Sequence, residues 1–322
     1  MNFKEYIKSA TIRPEEGDTV EYMSIRDKMM SNVLVNSQKE IPGVGCTYEA
    51  DVTKLLEEFA KLKTNCGYEL TLNSLMIKIL VEGLKAAPRL NAHFQYNHRA
   101  TSGHLIIKKH IDVSMAVCLE TGKTFQVKVI HLEDKTLKET AFLAEDAKRR
   151  LHNTRLGKMM FEVSRQRMVG LLAQGKVISP LCQIFSACFG KGKIVDLSKS
   201  LKSDFRKLTK KDTPKNYDGL RMKELNEGTV CFTNWGTLYD NLNVNITYIP
   251  PLYPQVFLFG TGRVKETQHV YEDENGNLHL GTKKVLPLTL VFDHKIGGAA
   301  DIVPFIKKLD EIFGNPEIIH TW

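Results

Sequence analysis

The chain has 322 residues, of which 42% are hydrophobic and 25% charged, proportions typical of a globular protein with a full core. No uncharged apolar stretch reaches the roughly 18 residues that span a membrane, and the N-terminus lacks the apolar core of a secretory signal. The six cysteines are scattered with no C-x-x-C pair. This pattern favours reduced thiols in a cytoplasmic protein over a disulfide framework.

The positive charge is concentrated in one segment. The formal net charge is +8, yet Lys148 to Lys223 contains 19 Lys and Arg against 5 Asp and Glu, a local balance of +14. The rest of the chain is therefore acidic, with a balance of −6. An acidic partner would be attracted to this segment alone. Nucleic acid is not predicted as a partner, because no aromatic residues interleave the lysines to stack on bases.

The first third of the chain predicts helices around a strand. The elements in order are an arm (1–21), a helix that Ser24 could cap, a strand (45–51) and two helices (52–62 and 72–87). The first helix is expected to end before Pro42-Gly43, a pair that breaks helices. Lys78 borders the apolar stripe of the last helix, so we interpret it as a surface lysine whose stem lies along apolar neighbours.

The middle of the chain alternates apolar and polar residues before it becomes basic. The predicted elements are strands at 104–110, 111–119 and 124–130 and a helix at 136–151. An apolar stretch at 168–189 follows, interrupted by Gly175 and Pro180, and then a lysine-rich stretch at 191–215. The alternation in the strands is typical of a sheet with one buried face.

The last third predicts a sheet and a closing helix. The predicted strands are 229–234, 244–249, 255–260, 264–271, 278–286 and 288–293, before a helix at 302–313. Asn275-Gly276 is a strong signal for a type I′ hairpin. Helices and strands are mixed along the chain, with hairpins late. This order predicts an α/β fold, a two-layer sandwich with a mixed sheet and helices on one face.

His294 is the most conspicuous candidate for chemistry. An apolar run from Leu288 delivers it to the glycine-rich bend at Gly297-Gly298. A histidine at the end of a buried strand is held rigidly and can still reach a cleft, which is the placement a general base needs. A structural histidine at a strand end has the same pattern, so this stretch by itself leaves both interpretations open.

No metal site is predicted. Four histidines lie close in sequence: His93, His98, His104 and His110. Their spacings of five or six residues put them on neither one helix face nor one strand face, so we interpret them as strand and loop histidines. Cys231 precedes Thr233 by two residues and is expected to face the same side of a strand. We interpret it as a small packing residue.

Eight segments in order carry a family resemblance: Ser24–Arg26, Ser37–Pro42, Asp51–Leu55, Leu70–Asn73, Pro88–Ala92, Ile111–Val117, Gly228–Gly236 and Asp293–Lys295. Together they resemble the catalytic domain of the 2-oxo-acid dehydrogenase acyltransferases (dihydrolipoyl acyltransferases), relatives of chloramphenicol acetyltransferase. Gly228–Gly236 is similar to the family's G-T-F-T-I-[ST]-N-x-G strand, and Asp293–Lys295 to its D-H-R. The order of the matches over almost the whole chain makes the resemblance specific for the fold.

The resemblance implies the fold of the coenzyme A-dependent acyltransferases and acyl transfer between coenzyme A and a thiol or hydroxyl acceptor. It makes His294 the general base and Thr233 the hydroxyl that stabilises the oxyanion, with Asn234 beside it. It also implies a homotrimer in which the histidine of one subunit faces the hydroxyl of its neighbour. Coenzyme A would be a substrate, with no metal and no covalent lipoyl group. We expect a free-standing catalytic domain over 22–322.

Two departures from the family pattern stand out. The pattern H-x-x-x-D-G is expected after the histidine, but Gly298 occupies the aspartate position. In relatives that aspartate is understood to pair with the first-helix arginine, here Arg26. Either Arg26 reaches solvent, or Asp293 or Asp301 takes over. The departure motivates an alternative function, a catalytically inactive trimeric scaffold or binding module.

The second departure is an insertion at about 152–225. An apolar stretch flanked by lysines would suit an anionic membrane surface, an acidic carrier protein or a lid over the cleft. A plain surface excursion with solvated lysines is the other interpretation. The predicted location is accordingly cytoplasmic, with peripheral membrane attachment as one alternative.

Overall fold

A computed structural model describes residues 14–98, 100–119, 124–173, 175, 177–189, 217–221, 224, 228–236, 244–273 and 275–322. The chain divides into two units, one of residues 1–31 with 156–213 and the other of residues 32–155 with 214–322. Within the described ranges, no helix has the length and apolar character that crossing a bilayer requires.

The helices are α1 (Ile25–Glu40), α2 (Thr53–Asn65), α3 (Leu72–Ala86), α4 (Leu137–His152), α5 (Leu156–Ala173), α6 (Ile178–Cys188) and α7 (Ala299–Gly314). The strands are β1 (Gly43–Asp51), β2 (Ala92–Asn97), β3 (Ser102–Ile107), β4 (Val113–Cys118), β5 (Thr124–Val129), β6 (Val230–Asn234), β7 (Phe257–Thr261), β8 (Lys265–Glu272) and β9 (Leu278–Asp293). Short 3-10 turns cover Pro88–Leu90, His294–Ile296 and Pro316–Thr321.

The larger unit is built on a mixed seven-stranded sheet. Its strand order is β1-β9-β7-β6-β4-β5, and β8 pairs with the outer half of β9. The pairs β4–β6 and β6–β7 are parallel, whereas the remaining pairs are antiparallel. Strands β2 and β3 form a separate hairpin. The predicted α/β class with a mixed sheet and helices is confirmed.

Strand β9 changes character along its length. Its first half pairs with β8 and is largely exposed, whereas every residue from Val285 to Asp293 is buried. A strand covered on both faces has no polar side to present, so its sequence becomes a continuous apolar run instead of an alternating one. This explains the stretch that delivers His294.

Helices α3 and α7 pack on one face of the sheet, and α7 does so through aromatic contacts. Phe305 of α7 meets Phe257 and Phe259 of β7 with ring centroids 5.0 and 5.9 Å apart. Gly83 lets α3 approach closely, because a Cβ there would collide with the Phe305 ring. Since side chains alternate along a strand, Leu258 and Gly260 point to the opposite face, away from these helices.

The segment 244–250 covers that second face and corrects one prediction. We expected a strand at 244–249, but these residues form no ladder. The neighbouring strand β7 already has β6 on one edge and β9 on the other, so no free edge remains for it. The segment instead lies across the sheet. There the carbonyl of Ile246 accepts a hydrogen bond from Thr289 Oγ1 at 2.5 Å, and Ile249 packs on Val291.

The described part of the insertion includes two helices, α5 and α6, neither of which was predicted. Their apolar side chains include exposed ones, with Ile178 79% and Phe185 65% exposed. Phe185 and Phe189 stack on each other with centroids 4.9 Å apart. The lysine-rich stretch at 191–215 lies outside the described residues, so the predicted membrane, carrier and lid roles stay predictions.

Lys78 is not the surface lysine we expected. Its side chain is buried, with Nζ donating to the carbonyl of Lys135 at 2.6 Å and lying 2.8 Å from Glu82 Oε1. Burial alone would raise the pKa of Glu82, but hydrogen bonds from Lys78 and Lys85 outweigh it and hold that pKa below its ordinary value. The helical spacing places Glu82 beside Lys78, but it does not reveal the carbonyl of Lys135, which lies 57 residues along the chain.

We therefore predict that Glu82→Ala destabilises the protein by about 2–4 kcal/mol, because it leaves the Lys78 ammonium buried without its carboxylate. Chemical denaturation monitored by circular dichroism measures the effect. Glu57→Ala, on an exposed position of α2, is the matched control and should stay within about 0.5 kcal/mol of wild type. Equal losses for the two variants would contradict the buried pair.

Candidate active site

His294 stands at the exit of β9 in a short 3-10 turn. Asp293 begins this turn, with Oδ1 accepting a hydrogen bond from the Lys295 backbone N–H at 2.9 Å. The His294 backbone N–H donates to the carbonyl of Pro42 at 3.0 Å. Its ring stacks beside that of Phe292, with centroids 6.1 Å apart. The backbone is thus tied down while the imidazole is exposed, an arrangement that suits a base meeting a substrate.

Asp293 places a buried carboxylate next to this imidazole. It is 2% exposed. Burial raises its pKa above the ordinary value, and the Lys295 N–H and ammonium offset part of that rise. Its Oδ2 lies 3.5 Å from Lys295 Nζ. In sequence, the carboxylate of Asp293 therefore precedes His294 and the ammonium of Lys295 follows it.

Lys295 anchors the turn to two other elements. Its ammonium donates to the carbonyl of Glu40 at the end of α1. It also lies over the rings of Phe94 and Tyr96 in β2, 5.1 and 5.8 Å from their centroids. Such cation–π contacts contribute about 0.5–1 kcal/mol at partly exposed sites. Lys295, which stands where the family resemblance implies the arginine of D-H-R, thus contacts both α1 and β2.

Arg89 closes the other side of the bend. Its Nη2 donates to the carbonyl of Ile296 at 2.5 Å, and its Nε lies 2.6 Å from Asp301 Oδ1. One guanidinium therefore joins the end of the His294 turn to the first turn of α7. A guanidinium can do this because its donors are rigidly spread in one plane.

Gly298 has a plain structural role. It is the N-cap residue of α7 in extended conformation, and a Cβ there would meet open space. Of the two carboxylates expected to replace the missing aspartate, Asp301 pairs with Arg89 and Asp293 with Lys295. For Arg26 the structure describes only a helical backbone, so its side chain lies outside the described residues. The bend keeps an arginine–aspartate pair without an aspartate at 298.

Thr233 lies near the end of β6 and is buried. Its Cα pairs with Gly260, which pairs in turn with Thr289, so the three residues form a row across the face away from the helices. They line a cavity of about 10 Å³ together with Ile246 and Ile249, about enough for one water molecule. The Thr233 side chain therefore borders the small cavity on this face.

Cys231 shares this face, as predicted. It is buried with Leu258 and Val291, and burial raises the pKa of its thiol to about 12. A thiol with such a pKa is protonated at neutral pH and is a poor nucleophile. The interpretation of Cys231 as a packing residue agrees with this environment.

Asn234 follows Thr233 and points toward the start of α3. Its Nδ2 donates to Oδ1 of Asn73, a residue of the Leu70–Asn73 motif. This contact ties the end of β6 to the helix layer. The sequence placed Asn234 beside Thr233 but could not identify Asn73 as its partner, because 161 residues separate them.

Thr233 and His294 of one chain lie at opposite ends of the sheet. Thr233 aligns with Thr289 through Gly260, and His294 follows Thr289 by five residues. At about 3.3 Å per residue and 4.8 Å per strand, the two are separated by roughly 15–20 Å. Among the described residues, His294 is absent from the lining of the Thr233 cavity. A single chain thus presents the predicted base and the predicted oxyanion donor at separate places.

The sequence by itself does not identify the residues that hold the bend. Arg89 lies inside the Pro88–Ala92 motif, whose resemblance to the family assigns it no role. Asp301 is one of the two predicted replacement partners of Arg26, but the structure pairs it with Arg89. The signal available in the sequence was an arginine directly after a helix-ending proline, but its target lies more than 200 residues away.

Comparison with known proteins first defines the class. The solved cubic core of the pyruvate dehydrogenase multienzyme complex superposes with a TM-score of 0.60 at 17% identity, over 96% of this chain and 99% of that one. The likeness shows that the two proteins share a fold.

A comparison of the sequence with family profiles then assigns the chain to a family. The profile of the 2-oxoacid dehydrogenases acyltransferase (catalytic domain) family matches residues 14–166 and 194–321. The chain therefore belongs to this family, and the resemblance seen in the sequence motifs is confirmed. Between the two matched parts, residues 167–193 have no counterpart in the profile.

Curated relatives match over shorter stretches. The dihydrolipoyllysine-residue acetyltransferase component of the pyruvate dehydrogenase complex of Mycoplasma genitalium is 30% identical over 90 residues, 28% of this chain and 21% of that protein. The component of the same name in Staphylococcus epidermidis is 31% identical over 138 residues, 41% of this chain and 30% of that protein. The matched part is thus less than a third of either relative's length.

The contacts of Arg89 with Ile296 and Asp301, here called the Arg89–Asp301 clamp, can be tested by substitutions at two adjacent glycines. A side chain at Gly297 would collide with the Asp301 carboxylate, whereas one at Gly298 would not. We predict that Gly297→Ala destabilises the protein by about 1–3 kcal/mol, as overpacking does. Gly298→Asp should be neutral or stabilise by a few tenths of a kcal/mol, since aspartate caps helices well.

Urea unfolding of the two variants, compared with wild type, provides the measurement. The adjacent position serves as the control, because both changes lengthen a side chain in the same bend. A Gly298→Asp variant as unstable as Gly297→Ala would show that the bend tolerates no side chain at either position and that the clamp has no special part in it.

Proposed function

We propose that this chain is a coenzyme A-dependent acyltransferase that moves an acyl group between coenzyme A and a thiol or hydroxyl acceptor. The observation that carries the proposal is His294, an exposed imidazole on a bend tied to α1, β2 and α7, in a chain of an acyltransferase family. The names of the relatives, acetyltransferases acting on dihydrolipoyllysine residues, make acetyl-CoA and a dihydrolipoyl thiol the first pair to test.

The proposed step uses His294 as a general base. A ring nitrogen takes the proton of the acceptor thiol as its sulfur attacks the thioester carbonyl carbon. The new C–S bond forms, the carbonyl oxygen becomes an oxyanion, and the bond to the coenzyme A sulfur then breaks. The leaving thiolate recovers the proton from the imidazolium, so the base is regenerated. A positioned base of this type contributes about 10²–10⁴-fold in rate.

Thr233 is the proposed donor to the oxyanion. Its side chain is buried beside a small cavity, where a hydrogen bond to developing charge is worth more than in water. Asn234, fixed against Asn73, would support the end of the strand. Arg26 is retained as a supporting residue by family resemblance.

The proposed active unit is a homotrimer with the site between subunits. The roughly 15–20 Å between Thr233 and His294 in one chain supports this, because a base and an oxyanion donor must act on adjacent atoms. The hairpin of β8 and β9 also carries exposed apolar side chains, with Leu278 75% and Leu280 69% exposed. Exposed apolar groups of this size are typical of association surfaces.

The alternative, a catalytically inactive scaffold, is less well supported. It was motivated by Gly298, on the view that the bend had lost its arginine–aspartate pair. The Arg89–Asp301 pair and the open space at Gly298 weaken that motive. The two functions differ in a simple measurement, since the scaffold predicts no thermal stabilisation by coenzyme A.

We predict that His294→Ala lowers kcat at least about 100-fold and Thr233→Val about 10²–10³-fold, because each removes one element of transition-state stabilisation. Thiol release from acetyl-CoA with dihydrolipoamide is the assay. Thr233→Ser keeps the hydroxyl and His104→Ala removes an exposed histidine of β3, so both should retain activity. Wild-type rates in His294→Ala would overturn the proposal.

A complementation experiment tests the shared site. His294→Ala and Thr233→Val chains, each inactive alone, are coexpressed and purified together with two different tags. Random trimers should recover about one quarter of the wild-type activity, since one interface in four pairs an intact histidine with an intact threonine. No recovery from verified mixed oligomers would show that both residues act within one chain or not at all.

A further inference from the structure

A group of ligand-type side chains lies at the edge of the sheet, away from Thr233. His110 precedes β4, while His131 and Glu133 follow β5, the antiparallel partner of β4. One ligand atom from each of the three lies within 4.8 Å of the others. In the sequence, the spacing of five or six residues among His110 and the histidines before it does not predict a metal site. The fold instead supplies partners from 21 and 23 residues further along the chain.

The two imidazoles are arranged around one carboxylate oxygen. His110 Nδ1 contacts Glu133 Oε1, and His131 Nδ1 lies 4.0 Å from the same oxygen. The two rings are 4.3 Å apart and nearly perpendicular. With metal–ligand bonds of about 2.0–2.2 Å, tetrahedral ligands lie about 3.4 Å apart. The contact of Glu133 Oε1 with His110 Nδ1 is shorter than this value, and its distance to His131 Nδ1 is longer. A small shift of the carboxylate toward His131 would make the two distances equal.

The backbone positions each ligand independently of the others. His131 has φ of +58°, a left-handed conformation that few residues other than Gly, Asn, Asp and His adopt. Its N–H donates to Asp112 Oδ1 at 2.9 Å. Glu133 Oε2 accepts from the Ile111 N–H at 2.9 Å, which leaves Oε1 directed at the histidines. A hydrogen-bonded His110–Glu133 pair by itself would not require His131 in this conformation.

The charge and solvent exposure of these three side chains suit a bound cation with one coordination position open to solvent. The side chains of His110 and His131 are 43% and 53% exposed, and that of Glu133 is 21% exposed. The nearby Asp112 carboxylate faces Lys128, with Oδ2 3.7 Å from Nζ, so its charge has a partner. Two imidazoles and one carboxylate are the protein ligands of many zinc sites with a water in the fourth position, and they disfavour Mg²⁺ and Ca²⁺, which take oxygen ligands.

We propose that His110, His131 and Glu133 bind one divalent transition-metal ion of the zinc class, through His110 Nδ1, His131 Nδ1 and Glu133 Oε1, with a fourth position open to water. The site is independent of the proposed acyl transfer. It would join the start of β4 to the end of β5 and so close the edge of the sheet.

Metal titration of the untagged full chain tests the proposal. After treatment with a chelator and dialysis, Co²⁺ is added and followed by its visible absorption, and Zn²⁺ by calorimetry. We expect one ion per chain, with intense tetrahedral Co²⁺ bands. His131→Asn, which tolerates the left-handed backbone, and Glu133→Gln should each weaken binding at least tenfold. His104→Ala, which removes an exposed histidine outside the group, should leave it unchanged.

Unfolding midpoints measured without metal show whether a variant has lost metal binding or has lost stability of the fold. His131→Asn should unfold near the wild-type midpoint when no metal is present, and Zn²⁺ should raise the midpoint of wild type but not of this variant. Absence of stoichiometric binding by wild type would overturn the site. Equal affinity in wild type and His131→Asn would also overturn it, because the ion would then bind elsewhere.

Discussion

The pairing of β9 on both edges is the constraint on which the rest of the larger unit depends. Over its buried half, β9 has β1 on one side and β7 on the other. Every backbone N–H and C=O in a dry interior needs a partner, and a slip by one residue would turn each side chain to the other face. This register fixes where the strand ends, and therefore where Asp293 and His294 leave the sheet.

The bend after β9 contains an arginine–aspartate pair at positions that the family resemblance did not indicate. The family pattern has an aspartate four residues after the histidine, whereas here Asp301 lies seven residues after it and meets Arg89. Both positions are near the start of α7, where the helix dipole favours a carboxylate. The backbone carbonyl of Ile296 accepts from the same guanidinium, so the turn and the helix are joined by one side chain.

The distribution of functional groups also has a physical reason. Thr233 ends a strand that is parallel to β7, whereas His294 ends a strand that is antiparallel to it. The C-terminal ends of antiparallel strands lie at opposite ends of a sheet, so these two groups lie far apart within one chain. The proposed site between subunits would bring them together. The His110, His131 and Glu133 group lies at the end of the sheet where β4 begins and β5 ends, for the same topological reason.

The sequence by itself determined the α/β class, the main helices and strands, the family and the candidates His294 and Thr233. These follow from local periodicity and from short motifs, which the chain carries in order. Only the tertiary structure decided that segment 244–250 forms no strand, that Lys78 is buried against the carbonyl of Lys135, and that Arg89 meets Asp301. It also separated Thr233 from His294 and joined His110 to His131 and Glu133. Each of these depends on contacts across the fold, and the free energy of a buried charge or a paired edge is set by neighbours that local sequence does not identify.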